Sequence, residues 1–181
     1  MNCWKTISID HEFGRERLWF MSISMALLYF IFFFVSFRTF YSAPPLMDYG
    51  LGFLLFSLAV IIPLHLILHC LPLWIAGKKA TFGVRRKFWP FFYYSSKGPL
   101  SKQLAITSIC APILVITLVS ISAVIIFPEW LHYIAMMSAL NFGLCMYDLL
   151  TLKHLRTAPK KAYFEEHRDG YHILYNNQNI K

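Results

Sequence analysis

The hydrophobic residues of this chain are concentrated in four long blocks that are separated by polar stretches. Each block is near or above the ~20 residues that a helix needs to cross a bilayer. The pattern predicts an all-α polytopic membrane domain over residues 18–152, between an N-terminal tail of residues 1–17 and a C-terminal tail of residues 153–181. The four predicted transmembrane helices are Leu18–Phe37, Leu51–Ala76, Leu104–Phe127 and Trp130–Leu152.

Composition supports a membrane protein over a soluble one. Hydrophobic residues make up 57% of the chain, and only 14% are charged, against about 25% in soluble domains. The first apolar block follows a polar segment and lacks a small-residue cleavage site, so no signal peptide is expected. The four cysteines form no C-x-x-C pair, and disulfides are not implied. Three of them, Cys70, Cys110 and Cys145, lie in apolar blocks and are interpreted as small buried hydrophobic residues.

The distribution of basic residues predicts the orientation. The loop Gly77–Gln103 contains seven Lys and Arg residues and no acidic residue, and both tails are also rich in Lys and Arg. With four spans these three segments lie on one side, which leaves only Arg38 on the other. The positive-inside rule then predicts a multi-pass protein of the cell membrane with both termini in the cytoplasm. The net charge of +8 thus reports topology; membrane lipids are expected partners, and nucleic acid is not.

Two short hairpins are expected outside the membrane. In the cytoplasmic loop, Lys79–Lys87 and Phe88–Ser95 carry β-branched and aromatic residues around Gly83 and Pro90. The alternative for this loop is an interfacial segment whose aromatic side chains lie at the lipid headgroups. In the C-terminal tail, Asp169-Gly170 favours a tight turn between two strands. Because an isolated two-stranded hairpin is only marginally stable, this one should dock on other elements.

The second block contains His65 and His69, four residues apart, so both imidazoles lie on one face of a helix. Ionisable groups inside a membrane are candidate functional residues by default. Asp148 is the one carboxylate within the predicted spans, and Asn141 lies on the same face of the fourth span. Two histidines and a carboxylate are a ligand set of catalytic zinc sites. We therefore predict a zinc site of His65, His69 and Asp148, with Asn141 as a supporting residue.

Each of these residues also has a purely structural interpretation. The histidines could be neutral and hydrogen-bonded to Asn141, to hydroxyl groups and to the backbone. Asp148 could be a helix-end carboxylate paired with Lys153 or another base, and Asn141 could simply link two helices. The sequence alone leaves both interpretations open.

The chain resembles a bacterial family of membrane proteins known as putative zincin peptidases. The resemblance lies in Pro63-Leu-His-Leu-Ile-Leu-His69, in Leu73-Trp-Ile-Ala-Gly-Lys-Lys, in Ala111-Pro112, in Asn141 through Asp148 and in the Asp-Gly-Tyr of the tail. The layout is also similar to site-two-type intramembrane metalloproteases, a likeness that implies His65, His69 and Asp148 as metal ligands. The zinc-protease motif H-E-x-x-H has a glutamate as general base, and here Leu66 occupies that position.

The departure at Leu66 decides between the functions considered. The favoured hypothesis is a catalytically inactive protease-like scaffold that binds a divalent metal, a transmembrane protein or peptide partner, or both. The alternatives are an active intramembrane zinc metalloprotease with another base, and a small metal-handling or transport protein. A b-type haem protein is disfavoured because bundle haem ligands come from facing helices, whereas this histidine pair is on one helix.

Overall fold

The computed structural model describes residues 2–40, 44–84, 92–96, 98–159, 162–167 and 170–175. Within these ranges, four helices are long and apolar enough to cross a membrane. Each predicted span coincides with one of them, and the largest difference is at the end of the last helix. The predicted four-span helical architecture is therefore confirmed. The helices are α2 (Arg15–Phe40), α3 (Gly50–Ile75), α4 (Lys102–Ile126) and α5 (Leu131–Thr157), preceded by a short α1 (Ile9–Phe13).

The last of these helices is the centre of the bundle. Helix α5 packs against α2, α3 and α4, and α3 also packs against α4. The outward faces of α2, α3 and α4 carry exposed apolar side chains such as Phe32, Phe56 and Leu118. Apolar groups on an outer surface have no penalty in lipid, where backbone groups must instead be satisfied within the helix. The buried face of α5 therefore holds the polar residues, while the other helices shield them.

A small-residue contact brings α2 and α5 close together. A Cβ atom at Gly143 would lie 2.9 Å from the carbonyl oxygen of Ser22 and 3.0 Å from the Cβ of Ala26. One helical turn away, the hydroxyls of Tyr29 and Ser138 are hydrogen-bonded at 2.8 Å. Small residues and interhelical hydrogen bonds are the usual means of helix association in membranes. They fix the position of α5 and hence of the residues on its opposite face.

Local signals define the ends of the helices near the site. Helix α3 ends in a Schellman motif: Gly77 has φ of 71°, its N–H bonds to the Trp74 carbonyl, and the N–H of Lys78 bonds to that of Leu73. Ser101 caps α4 by accepting from the N–H of Leu104. These ends set where the second and third spans meet the polar loop.

Both predicted hairpins are present. Strand β2 (Ala80–Val84) pairs antiparallel with β3 (Phe92–Ser96), and β5 (Tyr163–His167) pairs antiparallel with β6 (Gly170–Tyr175). Their connecting residues, 85–91 and 168–169, lie outside the described residues. The C-terminal hairpin docks as expected, because β1 (Asn2–Ile7) and β4 (Leu100–Ser101) extend it to a sheet of order β1-β6-β5-β4.

The strand near the N-terminus had no counterpart in the sequence analysis, which described residues 1–17 only as a polar tail. Strand β1 pairs with β6, and Ile7 faces Tyr171 in the register. Ile7, Ile173, Leu18 and Leu150 belong to one buried cluster. The sheet therefore covers the ends of α2 and α5, at the same end of the bundle as the basic loop.

Candidate metal centre

The two histidines of α3 face each other in the bundle interior. His65 and His69 are 7% and 1% exposed, and their Nε2 atoms lie 3.1 Å apart. The rings are nearly perpendicular, at 84°. The i, i+4 spacing brings both rings to one face of the helix, and α4 and α5 complete the walls around them.

A proline on α4 explains how His69 is held. The Nδ1 atom of His69 lies 2.9 Å from the carbonyl oxygen of Ser108. In a regular helix this carbonyl would accept from the N–H four residues later, but that residue is Pro112, which has none. The imidazole N–H takes its place, as neighbouring helices commonly do in membranes. A carbonyl only accepts, so His69 carries its proton on Nδ1.

A second link between α3 and α4 reinforces the first. The hydroxyl of Ser108 donates to the carbonyl of His69 at 2.6 Å, and Ser108 is fully buried. The same pair of residues is thus joined by two hydrogen bonds of opposite direction. The rotation of the His69 ring relative to α4 is fixed by this pair.

Asn141 on α5 holds the other histidine. Its Oδ1 lies 3.0 Å from His65 Nδ1, and its Nδ2 donates to the carbonyl of Pro112 at 3.3 Å. The Pro112 carbonyl requires the amide NH₂ on its side, so the amide oxygen must face His65. His65 therefore also carries its proton on Nδ1, and both Nε2 lone pairs point into the shared space.

Asp148 lies about two helical turns after Asn141 on the same face of α5, and its side chain enters the same space. Its Oδ2 lies 3.2 Å from His69 Nε2 and 3.6 Å from His65 Nε2. Among the described residues, this buried oxygen has no hydrogen-bond partner. With both Nδ1 atoms protonated, neutral histidines offer it no donor on Nε2. Three electron-pair donors, the two Nε2 atoms and this oxygen, therefore converge on one buried space.

The separations between the three ligand atoms fit the zinc ion that the sequence predicts. Ligands at about 2.0–2.1 Å in tetrahedral geometry are separated by about 3.3 Å. The three separations here are 3.1, 3.2 and 3.6 Å. The protonated Nδ1 atoms are bonded to a carbonyl and an amide oxygen, which is the usual arrangement behind metal-ligating histidines. The donor set and its supports suit a zinc ion.

One residue of the site was missed by sequence reasoning. The ligand atoms of His65, Cys145 and Asp148 all lie within 4.8 Å of one another, and all three residues are buried. The sequence analysis took Cys145 for a small hydrophobic residue. Its position four residues after Asn141 and three before Asp148 was the available signal, because this spacing places all three on one helix face.

Leu66, the residue after the first histidine, is buried at 6% exposure. It presents an alkyl group to the protein interior on the turn that bears His65. The carboxylate that the protease motif requires there is absent from the sequence. Asp148, which the sequence already proposed as a ligand, is the carboxylate that the structure brings to the histidines.

The fold and the site together define a helical membrane protein with a buried His/Cys/Asp group that could hold a metal ion. A family model described as "Putative zincin peptidase" matches residues 58–163, more than half of the chain, and the chain belongs to this family. The matched range includes both histidines, Asn141 and Asp148. No curated protein and no solved structure matches the chain.

Proposed function

We propose that the protein is a membrane zinc-binding member of the zincin-like family that has no peptidase activity. His65, His69 and Asp148 hold the ion, and Asn141 orients His65. The observation that carries the proposal is the convergence of both Nε2 atoms, 3.1 Å apart, and of Asp148 Oδ2, which has no hydrogen-bond partner among the described residues. Such an arrangement without a cation would be costly in a buried site.

The inactivity is inferred from the position of Leu66. A bound zinc ion would supply Lewis-acid polarisation. Peptide hydrolysis also needs a group that accepts and returns a proton, and losing it typically costs ~10²–10⁴ in rate. Leu66 has no such group, and the hydrogen bonds of the two Nδ1 atoms, to Asn141 and to the Ser108 carbonyl, serve to orient the rings. In this proposal the chain's own residues hold the metal and exclude water.

The proposal includes a place and a partner. The basic loop and both tails face the cytoplasm, by the positive-inside rule, and lipid chains contact the exposed apolar faces of the bundle. The partner is a transmembrane segment of another protein or peptide, the class of molecule that a peptidase-like membrane scaffold would bind. Cysteines introduced at Ser95 and Met47 test the orientation: labelling of position 95 by an impermeant reagent on intact cells would contradict it.

The metal content of detergent-purified protein tests the binding site. We expect one zinc per chain in the wild type and none in the double variant His65→Ala/His69→Ala. The matched control is His132→Ala, which removes an imidazole from the opposite end of α5. Equal zinc in the wild type and the double variant, or loss of zinc in the control as well, would refute the ligand assignment.

The missing base is tested by restoring it. Leu66→Glu is assayed beside the wild type on a panel of membrane-segment peptides, with Leu68→Glu as a control that buries the same carboxylate on the same helix. Cleavage by Leu66→Glu alone supports the inactive scaffold. Cleavage by the wild type that depends on His65 shows instead that the protein is an active metalloprotease with another base.

A further inference from the structure

We propose that Cys145 is a fourth metal ligand, so that the centre is closed by a thiolate. This inference rests on the proposed function, since it concerns the same ion. Its first support is position: the sulfur of Cys145 lies within 4.8 Å of ligand atoms of both His65 and Asp148. Tetrahedral sulfur and nitrogen ligands at about 2.3 and 2.0–2.1 Å would be about 3.6 Å apart. Bringing the sulfur from this distance to about 3.6 Å from the His65 and Asp148 ligand atoms takes a movement of up to about 1.2 Å. His69 is not part of this close group, so a rotation of the Cys145 side chain has to bring the sulfur toward His69 as well.

The burial of Cys145 argues that the thiol belongs to the site. Cys145 is 1% exposed, and the unpartnered Oδ2 of Asp148 is on the next turn of the same helix. Asn141, on the preceding turn, is bonded to His65. Three successive polar positions on one face of α5 thus face the histidine pair. Asn141 is accounted for by its hydrogen bonds to His65 and Pro112, which leaves the thiol of Cys145 and the carboxylate of Asp148 as the groups of this row that can bind an ion.

Charge supplies the second support. Two neutral imidazoles and one carboxylate leave a divalent ion with a net charge of +1. An uncompensated charge in a helix bundle within lipid is strongly unfavourable. One thiolate makes the centre neutral. In the binding step the S–H bond of Cys145 breaks, a metal–sulfur bond forms, the proton leaves to water, and no electron is transferred.

A fourth protein ligand changes the class of the site. Catalytic zinc sites have three protein ligands and an open position, whereas structural sites are closed by four. With Cys145 bound, the centre has two histidines, one aspartate and one cysteine, and no position for a substrate. The loss of the base at Leu66 and the gain of a thiolate then point to the same outcome, a metal that stabilises the bundle.

X-ray absorption spectroscopy of the full-length, detergent-purified, zinc-loaded protein tests this directly. We expect one sulfur at about 2.3 Å beside nitrogen and oxygen ligands. Cobalt(II) loading should give a thiolate-to-metal charge-transfer band. Cys145→Ala should lose both signals and bind zinc more weakly by more than the about 10–100-fold of an outer-shell change. Cys70→Ala is the matched control, because Cys70 is equally buried and should leave both signals unchanged.

The outcomes separate this inference from the function beneath it. Stoichiometric zinc with only nitrogen and oxygen neighbours in the wild type would refute the thiolate ligand and leave the zinc site standing. Sulfur that persists in Cys145→Ala would also refute it. A wild-type protein that binds no zinc would refute the proposed function itself, and the ligand with it. The wild-type spectrum decides the question even if the Cys145 variant fails to fold.

Discussion

Replacing Asn141 by leucine tests whether the hydrogen bonds behind the histidines matter for the metal. The side chains have similar volumes, so the change removes polar groups without opening a large cavity. The variant loses the acceptor for His65 Nδ1 at 3.0 Å and the donor to the Pro112 carbonyl at 3.3 Å. The buried Nδ1–H of His65 is then left without its acceptor, a penalty of about 1–3 kcal/mol.

This penalty destabilises the metal-bound state more than the metal-free state. A zinc ion on Nε2 requires the proton on Nδ1, whereas the metal-free imidazole can change tautomer or rotate. We therefore expect zinc affinity to fall by about 10–100-fold, the usual effect of an outer-shell change, which corresponds to about 1.4–2.7 kcal/mol. Competition with a chromogenic chelator in detergent measures the change.

The control is Ser138→Ala, a change on the same helix as Asn141 that removes the part-buried hydrogen bond to Tyr29 of α2 at 2.8 Å. This variant should lose stability without losing zinc affinity. If Asn141→Leu binds zinc as tightly as the wild type, or if Ser138→Ala weakens binding equally, the reasoning about His65 is wrong.

Three further changes test other parts of the structure. Gly143→Leu should lower the unfolding temperature in detergent by an amount that reflects about 1–3 kcal/mol of overpacking, because its side chain would meet the backbone of α2. Pro112→Ala should weaken zinc binding by several-fold, since the new N–H competes with His69 for the same carbonyl. Hydrogen bonds from the start of α3 and from Tyr133 hold the pKa of Asp48 below 3.8. Its stabilising effect should therefore be present above the usual carboxyl pKa and be lost as the pH falls through the lowered value. Because Asp48 is fully exposed and solvent screens its charge, Asp48→Ala should lower the unfolding temperature by a small amount at pH 7 and not in acid.

Each of these predictions has a result that would contradict it, and Gly143→Leu also has a matched variant. Gly52→Leu, on the open surface of α3 where a Cβ meets nothing within 4 Å, should have little effect on the unfolding temperature; an equal loss at both glycines would contradict the close contact. Unchanged zinc affinity in Pro112→Ala would contradict the competition for the carbonyl. A difference between wild type and Asp48→Ala that persists at low pH would contradict the assigned role of the charge.

The sequence predicted the elements that local patterns determine. The spans follow from long apolar runs, and the hairpins follow from turn residues between β-branched and aromatic segments. The grouping of His65, His69, Asn141 and Asp148 was predicted from helical spacing and from the location of these polar residues within the predicted spans, and the structure brings the four together. These features depend on residues that are close in sequence or on a single face of one helix.

The remaining features depend on contacts that no local pattern encodes. Strand β1 has a short, mixed pattern, and its partner β6 lies some 165 residues later. The Ser108 carbonyl is a backbone group without a sequence signature of its own; only Pro112, four residues later, marks it as lacking its helical donor. The proximity of Cys145 to His65 depends on the packing of α5 against α3, which no pattern in the sequence around Cys145 indicates.

The pairing of β1 with β6 has a consequence for the time course of biosynthesis. Asn2 pairs with Tyr175, so β1 is synthesised well before its partner strand β6. At about 5–20 residues per second, that interval is roughly ten to thirty seconds. All four spans are synthesised during this interval, while β1 has an unpaired edge. Unpaired strand edges can pair with other chains. We therefore expect newly made chains to be most prone to association through β1 until β6 is made.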